Sequence, residues 1–362
     1  MRFALSPEHV DFAASIRKLL DAGKTPAAVR SWAAGEHAAG RALLEQLAGA
    51  GVFGLAVAEE FEGIGAEPID LVVAFGELGR TAVPGPVVES AAVIPALLQT
   101  LAGAGVDGPA GSSDASAGTA SVGSGAADAA ARWLPGIAAG TTLGTIAFAT
   151  PGRGAVALDA DVADLILIAD GDRLHTGKVG EQVRSVDPAR RLFAVVPDEL
   201  ITEGAHVADA IAAGFDAGAL AAAAQLLGAG SGLLDAATEY AKQRKQFGRP
   251  IGEFQAVKQK LADVLIALDL AEPLLHRAAL TAGGPDRARD VSAALVACGN
   301  AAHLAARTGL QVHGAIGYTA EYDLSLLLTK VTALRSAWGT ADFHRARIAA
   351  ALRSGSSAGA TA

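Results

Sequence analysis

Cysteine is nearly missing from this chain: one residue in 362, Cys298, is a cysteine. A disulfide framework within the chain is excluded, and the count suits a reducing, cytoplasmic setting. Cys298 lies in an alanine-rich helical run, which favours buried packing over a nucleophile's role. Aromatic residues make up 5% and charged residues 19%, and no basic block interrupts a net charge of −9. Nucleic acid and anionic membrane are therefore poor partners. The longest apolar stretches are broken by Gly, Asp or Gln before bilayer length, so no membrane span is expected. Met1 to Pro7 has no basic-then-apolar signal pattern, and no metal site is expected.

What the chain has is small apolar bulk. Hydrophobic residues are 51% of it and glycines number 43, a composition suited to closely packed helices in two or three units. Ser6 can cap a first helix whose apolar face is Val10, Phe12, Ile16 and Leu19-Leu20. Leu43, Leu44 and Leu47 mark another, and Ile69 to Leu78 a third. Residues 1–101 read as a helical domain, and 102–132 as a flexible Gly/Ala/Ser-rich surface insertion. In 133–205 the period changes: Thr145–Ala149, Leu165–Ile168 and Leu192–Val196 are β-type runs, giving a small, short β domain. Residues 206–353 read as long helices and 354–362 as a frayed tail.

Three local patterns can carry chemistry. In Tyr240–Gln255 a helix ends with Arg244, Lys245 and Gln246. Phe247, Gly248 and Pro250 turn the chain, and Phe254-Gln255 opens the next helix. Arg244 at such a corner can fork onto a phosphate, or simply complement the helix dipole. In Gln311–Tyr318, Gly314 and Gly317 permit close approach of a ligand to backbone, or cap a helix; His313 alone reads as a packed histidine. Gly339-Thr340, after Trp338, offers free N–H groups to an anion, or an ordinary threonine N-cap.

The order of these patterns in a helix–strand–helix chain resembles the acyl-CoA dehydrogenase family. Gly54–Gly65 is similar to its glycine-punctuated "PEExGGxG" loop, Glu77–Arg80 to its "EELGR", Trp133–Pro135 to the entry of its β domain, and Ser185–Arg190 to its "SxDPTR" strand. The resemblance spans nearly the whole chain. It implies an α+β fold: an N-terminal helical domain, a middle β domain and a C-terminal four-helix bundle. It also implies non-covalent FAD, an acyl-CoA substrate dehydrogenated between Cα and Cβ, and an electron-transfer flavoprotein as electron acceptor. By the same resemblance Arg244, Gln246 and Phe247 reach across a subunit interface to a neighbour's FAD. Gln311 and Gly314 continue that clamp, and Phe254, Gln255, Gly339 and Thr340 lie near the cofactor.

The chain departs from the family at the reacting centre. The catalytic glutamate usually precedes the Gly-Thr pair, where this chain has Trp338; the alternative slot, counted back from Phe247, is Gly218. Neither side chain takes up a proton. The nearest acid is Asp216, matching the aspartate of a substrate-contacting FDxxR sequence whose arginine is here Ala219; Glu321 is the other fallback base. In the flavin-cradling loop the family's flavin-bonding Thr and diphosphate-bonding Ser are here Ala149 and Ala155, and no W-[IV]-[ST] segment follows.

The resemblance then implies the non-catalytic member of a hetero-oligomeric enzyme, paired with a homologous catalytic subunit, as in actinobacterial α2β2 members that act on steroid-derived CoA thioesters. Two alternatives stand beside it. One is a homotetramer with a displaced base, Asp216 or Glu321. The other is a scaffold subunit with no flavin role.

Overall fold

The computed structural model describes residues 4–104, 122–150, 152 and 154–359. The N-terminal region is helical. Ser6 caps α1 (Pro7–Ala22) through a reciprocal pair: its hydroxyl accepts the His9 N–H and His9 Nδ1 accepts the Ser6 N–H, both at 3.3 Å. α2 (Thr25–Ala33), α3 (Ala38–Gly49) and α4 (Pro68–Arg80) follow. A fully buried π-helical turn, Glu89–Val93, leads into α5 (Ile94–Ala104), and α6 (Val122–Ala138) closes the region.

The middle region is one five-stranded sheet: β1 (Gly144–Phe148), β2 (Ala155–Leu158), β3 (Leu165–Asp170), β4 (Arg173–Val183) and β5 (Leu192–Glu203), in the order β1-β3-β4-β5-β2. β1 runs parallel to β3 and the remaining pairs are antiparallel. The C-terminal region holds α7 (Ala205–Gln243), a short hairpin pairing Lys245-Gln246 with Arg249-Pro250, α8 (Gln255–Leu280), α9 (Arg287–His313), α10 (Leu324–Ala337) and α11 (Ala341–Gly359).

Several boundaries differ from the sequence reading. Residues 122–132, assigned to a flexible insertion, are helical, because Ala126, Ala129 and Ala130 recur at helical spacing and bury against the core; the stretch 105–121 lies outside the described residues. Trp133–Pro135, expected at the entry to the sheet, also belong to α6. The sheet has two strands, β2 and β4, that the sequence reading missed. Ser185–Arg190, expected as strand, is a turn in which the Ser185 hydroxyl accepts the Asp187 N–H at 3.2 Å and Asp187 Oδ1 accepts the Ala189 N–H at 3.0 Å. The tail is helical to Gly359.

Small residues let α4 and α7 cross almost backbone to backbone. A Cβ on Gly79 would strike the Gln225 carbonyl, one on Gly228 the Gly76 carbonyl, and one on Gly232 would lie 2.7 Å from the Arg80 carbonyl oxygen. α7 is also the one helix among the described residues long and apolar enough to cross a membrane, a length of continuous apolar helix the interrupted runs in the sequence did not suggest. Its 39 residues have a window of mean hydropathy 1.5, of which 72% is buried inside the protein. Its apolar surface is used by α4, α5, α8 and α9, which pack around it.

The three regions meet over a buried charge cluster. Lys330 of α10 donates to the Val83 carbonyl at 3.0 Å. Around it lie Glu89 of the π-helical turn and Asp159, Asp187 and Arg190 of the middle region, all buried. The Trp32 indole N–H donates to Asp159 Oδ1 at 2.9 Å. Burial pushes the Asp159 carboxyl up to about 7, raises Glu89 and lowers the Lys330 ammonium. One oxygen of each carboxylate (Glu89 Oε2, Asp159 Oδ2 and Asp187 Oδ2) has no hydrogen-bond partner among the described residues.

Candidate functional site

Trp338 ends α10, and Gly339 follows at φ +97°, a backbone turn that suits glycine and sets the indole inward before α11 begins. His344 fixes that turn: its Nε2–H donates to the Trp338 carbonyl at 2.7 Å. Trp338 is only 4% exposed. The indole lies on α7 at Gly218, where an added Cβ would come within 2.5–2.7 Å of three of its ring carbons. Phe148 of β1 and Phe215 of α7 meet it edge-on, with ring centroids 5.7 and 6.1 Å away. Phe343 and His344 extend the aromatic block, and the Arg347 guanidinium lies 5.6 Å from the Phe215 ring centre. The Trp338 indole N–H is buried and has no hydrogen-bond partner among the described residues.

A cavity lies on each side of this block. One, of about 370 Å³, is walled by α4, α5 and α7 residues including Leu71, Ala96, Ala217 and Leu220, with Asp216 at its edge. The other, of about 510 Å³, faces the sheet and is lined by Phe148, Thr150, Arg184, Arg190, Phe215 and Trp338. Phe215 and Trp338 face the second while their α7 neighbours Asp216 and Ala217 face the first, so the aromatic block stands between the two.

Neither fallback acid, Asp216 or Glu321, lines the cavity beside the sheet. Asp216 is 1% exposed and both its oxygens are engaged: Oδ2 accepts from Arg287 Nε at 2.9 Å and Oδ1 from Arg347 Nη2 at 2.7 Å. Glu321 lies exposed on the turn before α10, lines neither cavity, and gives its carbonyl to Arg30 at 3.2 Å. The aromatic block itself escaped sequence reasoning. Its signal was the pairing of a residue with no side chain, Gly218, with the largest side chain, Trp338, at the two slots where a glutamate was sought.

The remaining expected site residues gather elsewhere. Arg244 caps α7 at its C-terminus and its carbonyl accepts the Ile251 N–H at 2.8 Å, closing the hairpin. Phe247 and Gly248 sit at its tip with φ +51° and +80°, and Phe247 is 91% exposed. Arg249 lies 4.3 Å over the Phe254 ring, which meets Phe247 edge-on at 6.2 Å. Arg244, Gln246, Gln255, Gln311 and Gly314 are all exposed, and none of this set lines either cavity. His313 is a packed histidine: it stacks on Tyr240 at 4.3 Å and its Nδ1–H donates to the Gly309 carbonyl at 2.8 Å. Thr340 acts as a cap, its hydroxyl accepting the Phe343 N–H at 3.3 Å.

Residues 6–100 match the acyl-CoA dehydrogenase N-terminal domain and residues 207–353 the acyl-CoA dehydrogenase C-terminal domain. The chain belongs to the acyl-CoA dehydrogenase family. It is 31% identical over 290 residues to the acyl-CoA dehydrogenase IpdE2 of Mycolicibacterium smegmatis, an alignment covering 79% of this chain and 78% of that one. Its fold is shared by the ChsE4–ChsE5 complex from Mycobacterium tuberculosis (TM-score 0.75, 23% identity, 98% of this chain and 99% of that chain). The butyryl-CoA dehydrogenase of Megasphaera elsdenii has the same fold (TM-score 0.75, 20% identity, 97% and 100%).

FAD is the cofactor of this acyl-CoA dehydrogenase family. The cavity beside the sheet fits its flavin ring poorly. The Trp338 indole borders it and fills the space above Gly218, positions 218 and 338 carry no carboxylate, and the loop residues 149 and 155 beside the sheet are alanine. The hairpin, by contrast, leaves Arg244, Gln246 and Phe247 exposed together.

Proposed function

We propose that this chain is the non-catalytic subunit of a heteromeric FAD-dependent acyl-CoA dehydrogenase. Its Arg244–Phe247 hairpin, with Gln311 and Gly314 beyond it, completes the FAD site of a homologous catalytic subunit. The observation that carries the reading is the Trp338 indole packed on Gly218: both positions for a catalytic carboxylate are spent on one packing contact. Asp216, the nearest other acid, has both its oxygens engaged by Arg287 and Arg347, which supports the same reading. The fold shared with a complex of two chains, ChsE4–ChsE5, supports a heteromer.

In such an assembly the partner's carboxylate removes the proton at Cα of the acyl-CoA. FAD, when bound, would supply the acceptor for the hydride leaving Cβ, with an electron-transfer flavoprotein as the onward electron acceptor. This chain would bind and position: Arg244, Gln246 and Phe247 would hold the cofactor, Arg244 through its diphosphate and Phe247 through apolar contact.

The test is co-expression with a homologous partner against expression alone, reading flavin absorbance per chain and acyl-CoA-dependent dye reduction. The expected result is colour and turnover only in the complex, and loss of flavin on Arg244→Ala. A yellow, active protein from this chain alone overturns the reading. A complex that keeps full flavin after Arg244→Ala leaves the chain as a scaffold.

A further inference from the structure

Arg190 is the one buried arginine among the described residues, 8% exposed. Its side chain forms no hydrogen bond and no ion pair among them. Glu89, Asp159 and Lys330 feel its charge only at longer range. A guanidinium withdrawn from water without a contact partner is costly. None of its unpaired nitrogens is sealed from water, so the group opens onto the cavity of about 510 Å³ that it lines beside the sheet.

Two more buried residues line that cavity and keep a polar atom without a partner among the described residues. They are Trp338, through its indole N–H, and Glu89, through Oε2. Both residues are 4% exposed. Burial raises the Glu89 carboxyl, which weakens its opposition to an anion nearby. Arg184 stands exposed at the rim. The opposite character comes from Phe148, Phe215 and Trp338, whose rings meet edge-on at 5.7–6.1 Å along one wall. A cavity of this size lies within the ordinary range for small-molecule sites, about 300–1,000 Å³. A wall of rings takes a flat apolar body. A free inner guanidinium takes a carboxylate by its fork. The charge is set by Arg190 as well. One negative charge balances it, whereas the second charge of a phosphate would lie near Glu89 with only the solvated Arg184 to meet it.

We propose that this cavity binds a small aryl carboxylate, its carboxylate on Arg190 and its ring against Phe148, Phe215 and Trp338. The proposal rests on the reading above, in which this chain's own cavity holds no flavin. The space left beside the sheet is then a ligand site of a different kind, one that recognises an organic acid.

The experiment is calorimetric titration of the full chain, alone and in the assembled complex, with 2-naphthoate, the neutral 2-naphthamide and inorganic phosphate as separate probes. Wild-type protein is compared with Arg190→Gln, Arg190→Lys and Arg184→Gln. Expected is naphthoate binding at least about tenfold tighter than naphthamide, and a loss of at least about tenfold on Arg190→Gln. Arg190→Lys keeps the charge but not the fork and falls between them. Arg184→Gln, at the rim, weakens binding by up to about fivefold. Acid and amide binding alike overturns the proposal, as does phosphate binding as tightly as naphthoate. A folded Arg190→Gln protein that binds naphthoate like wild type overturns it too, circular dichroism checking the fold. Should that variant fail to fold, the acid–amide comparison on wild type still decides. Flavin absorbance of the same preparations is read first. A yellow chain overturns both this proposal and the reading beneath it, whereas a colourless chain that binds no naphthoate in either form overturns this proposal alone.

Discussion

The contact between Trp338 and Gly218 makes a prediction with a change of sign. Gly218→Ala in the interior of α7 gains about 0.5–1 kcal/mol of helix propensity. The new methyl, however, would sit 2.5–2.7 Å from three indole carbons, and overpacking of that kind costs about 1–3 kcal/mol. The single variant is therefore destabilised, by up to about 2.5 kcal/mol. Trp338→Ala removes a buried indole and costs about 3–5 kcal/mol by itself. In that background nothing remains for the new methyl to strike, so Gly218→Ala stabilises by its propensity gain alone. Equilibrium urea unfolding of the four proteins of the cycle measures the coupling, expected at about 1–3 kcal/mol. Gly218→Ala acting with the same sign in both backgrounds would mean that the indole does not rest on Gly218. The central observation behind the non-catalytic assignment would then be lost.

Other outcomes follow from the same geometry. Asp159 is raised to about 7 by burial, against an ordinary value of 3.8. The folded state therefore holds a proton that the unfolded state releases, and this group's contribution to stability falls as pH rises between those two values. Asp159→Asn should match wild type near pH 4 and become the more stable protein by pH 7; melting temperatures that stay parallel across that range refute it. Lys330→Met, which strips a buried cation from among three carboxylates, should cost about 3–5 kcal/mol in chemical denaturation. The Cys298 thiol is buried and pushed up to about 12, so iodoacetamide should label it only after denaturation, as mass spectrometry would read.

What the sequence disclosed was what neighbours in sequence decide. The Ser6 cap depends on residues three apart, and the Arg244–Gly248 turn on a helix end followed by glycine and proline; both are found where expected. Cys298 and His313 are packed residues, as their surroundings suggested. The misses are non-local or compositional. β4 has little apolar alternation, since much of its length faces solvent, and β2 is four residues long. Residues 122–132 looked too poor in large side chains to order, yet alanines suffice against a close neighbour. Nothing local announced that Trp338 would meet a position 120 residues earlier. The arginines that neutralise Asp216 come from α9 and α11, beyond the reach of any sequence motif.

The glycine seam between α4 and α7 has a consequence for how this protein tolerates change. Gly79, Gly228 and Gly232 each face a carbonyl of the opposite helix, and a main-chain oxygen cannot rotate aside as a side chain would. There is little bulk at this seam for a deletion to remove, so ordinary cavity-forming mutations find few targets there. Additions are the opposite: even one methyl must drive two helices apart, and with them the N-terminal and C-terminal regions. In a saturation library the seam should appear as three positions that accept glycine alone. Two of them, Gly228 and Gly232, would lie in α7, whose sequence by composition looks the most permissive in the chain.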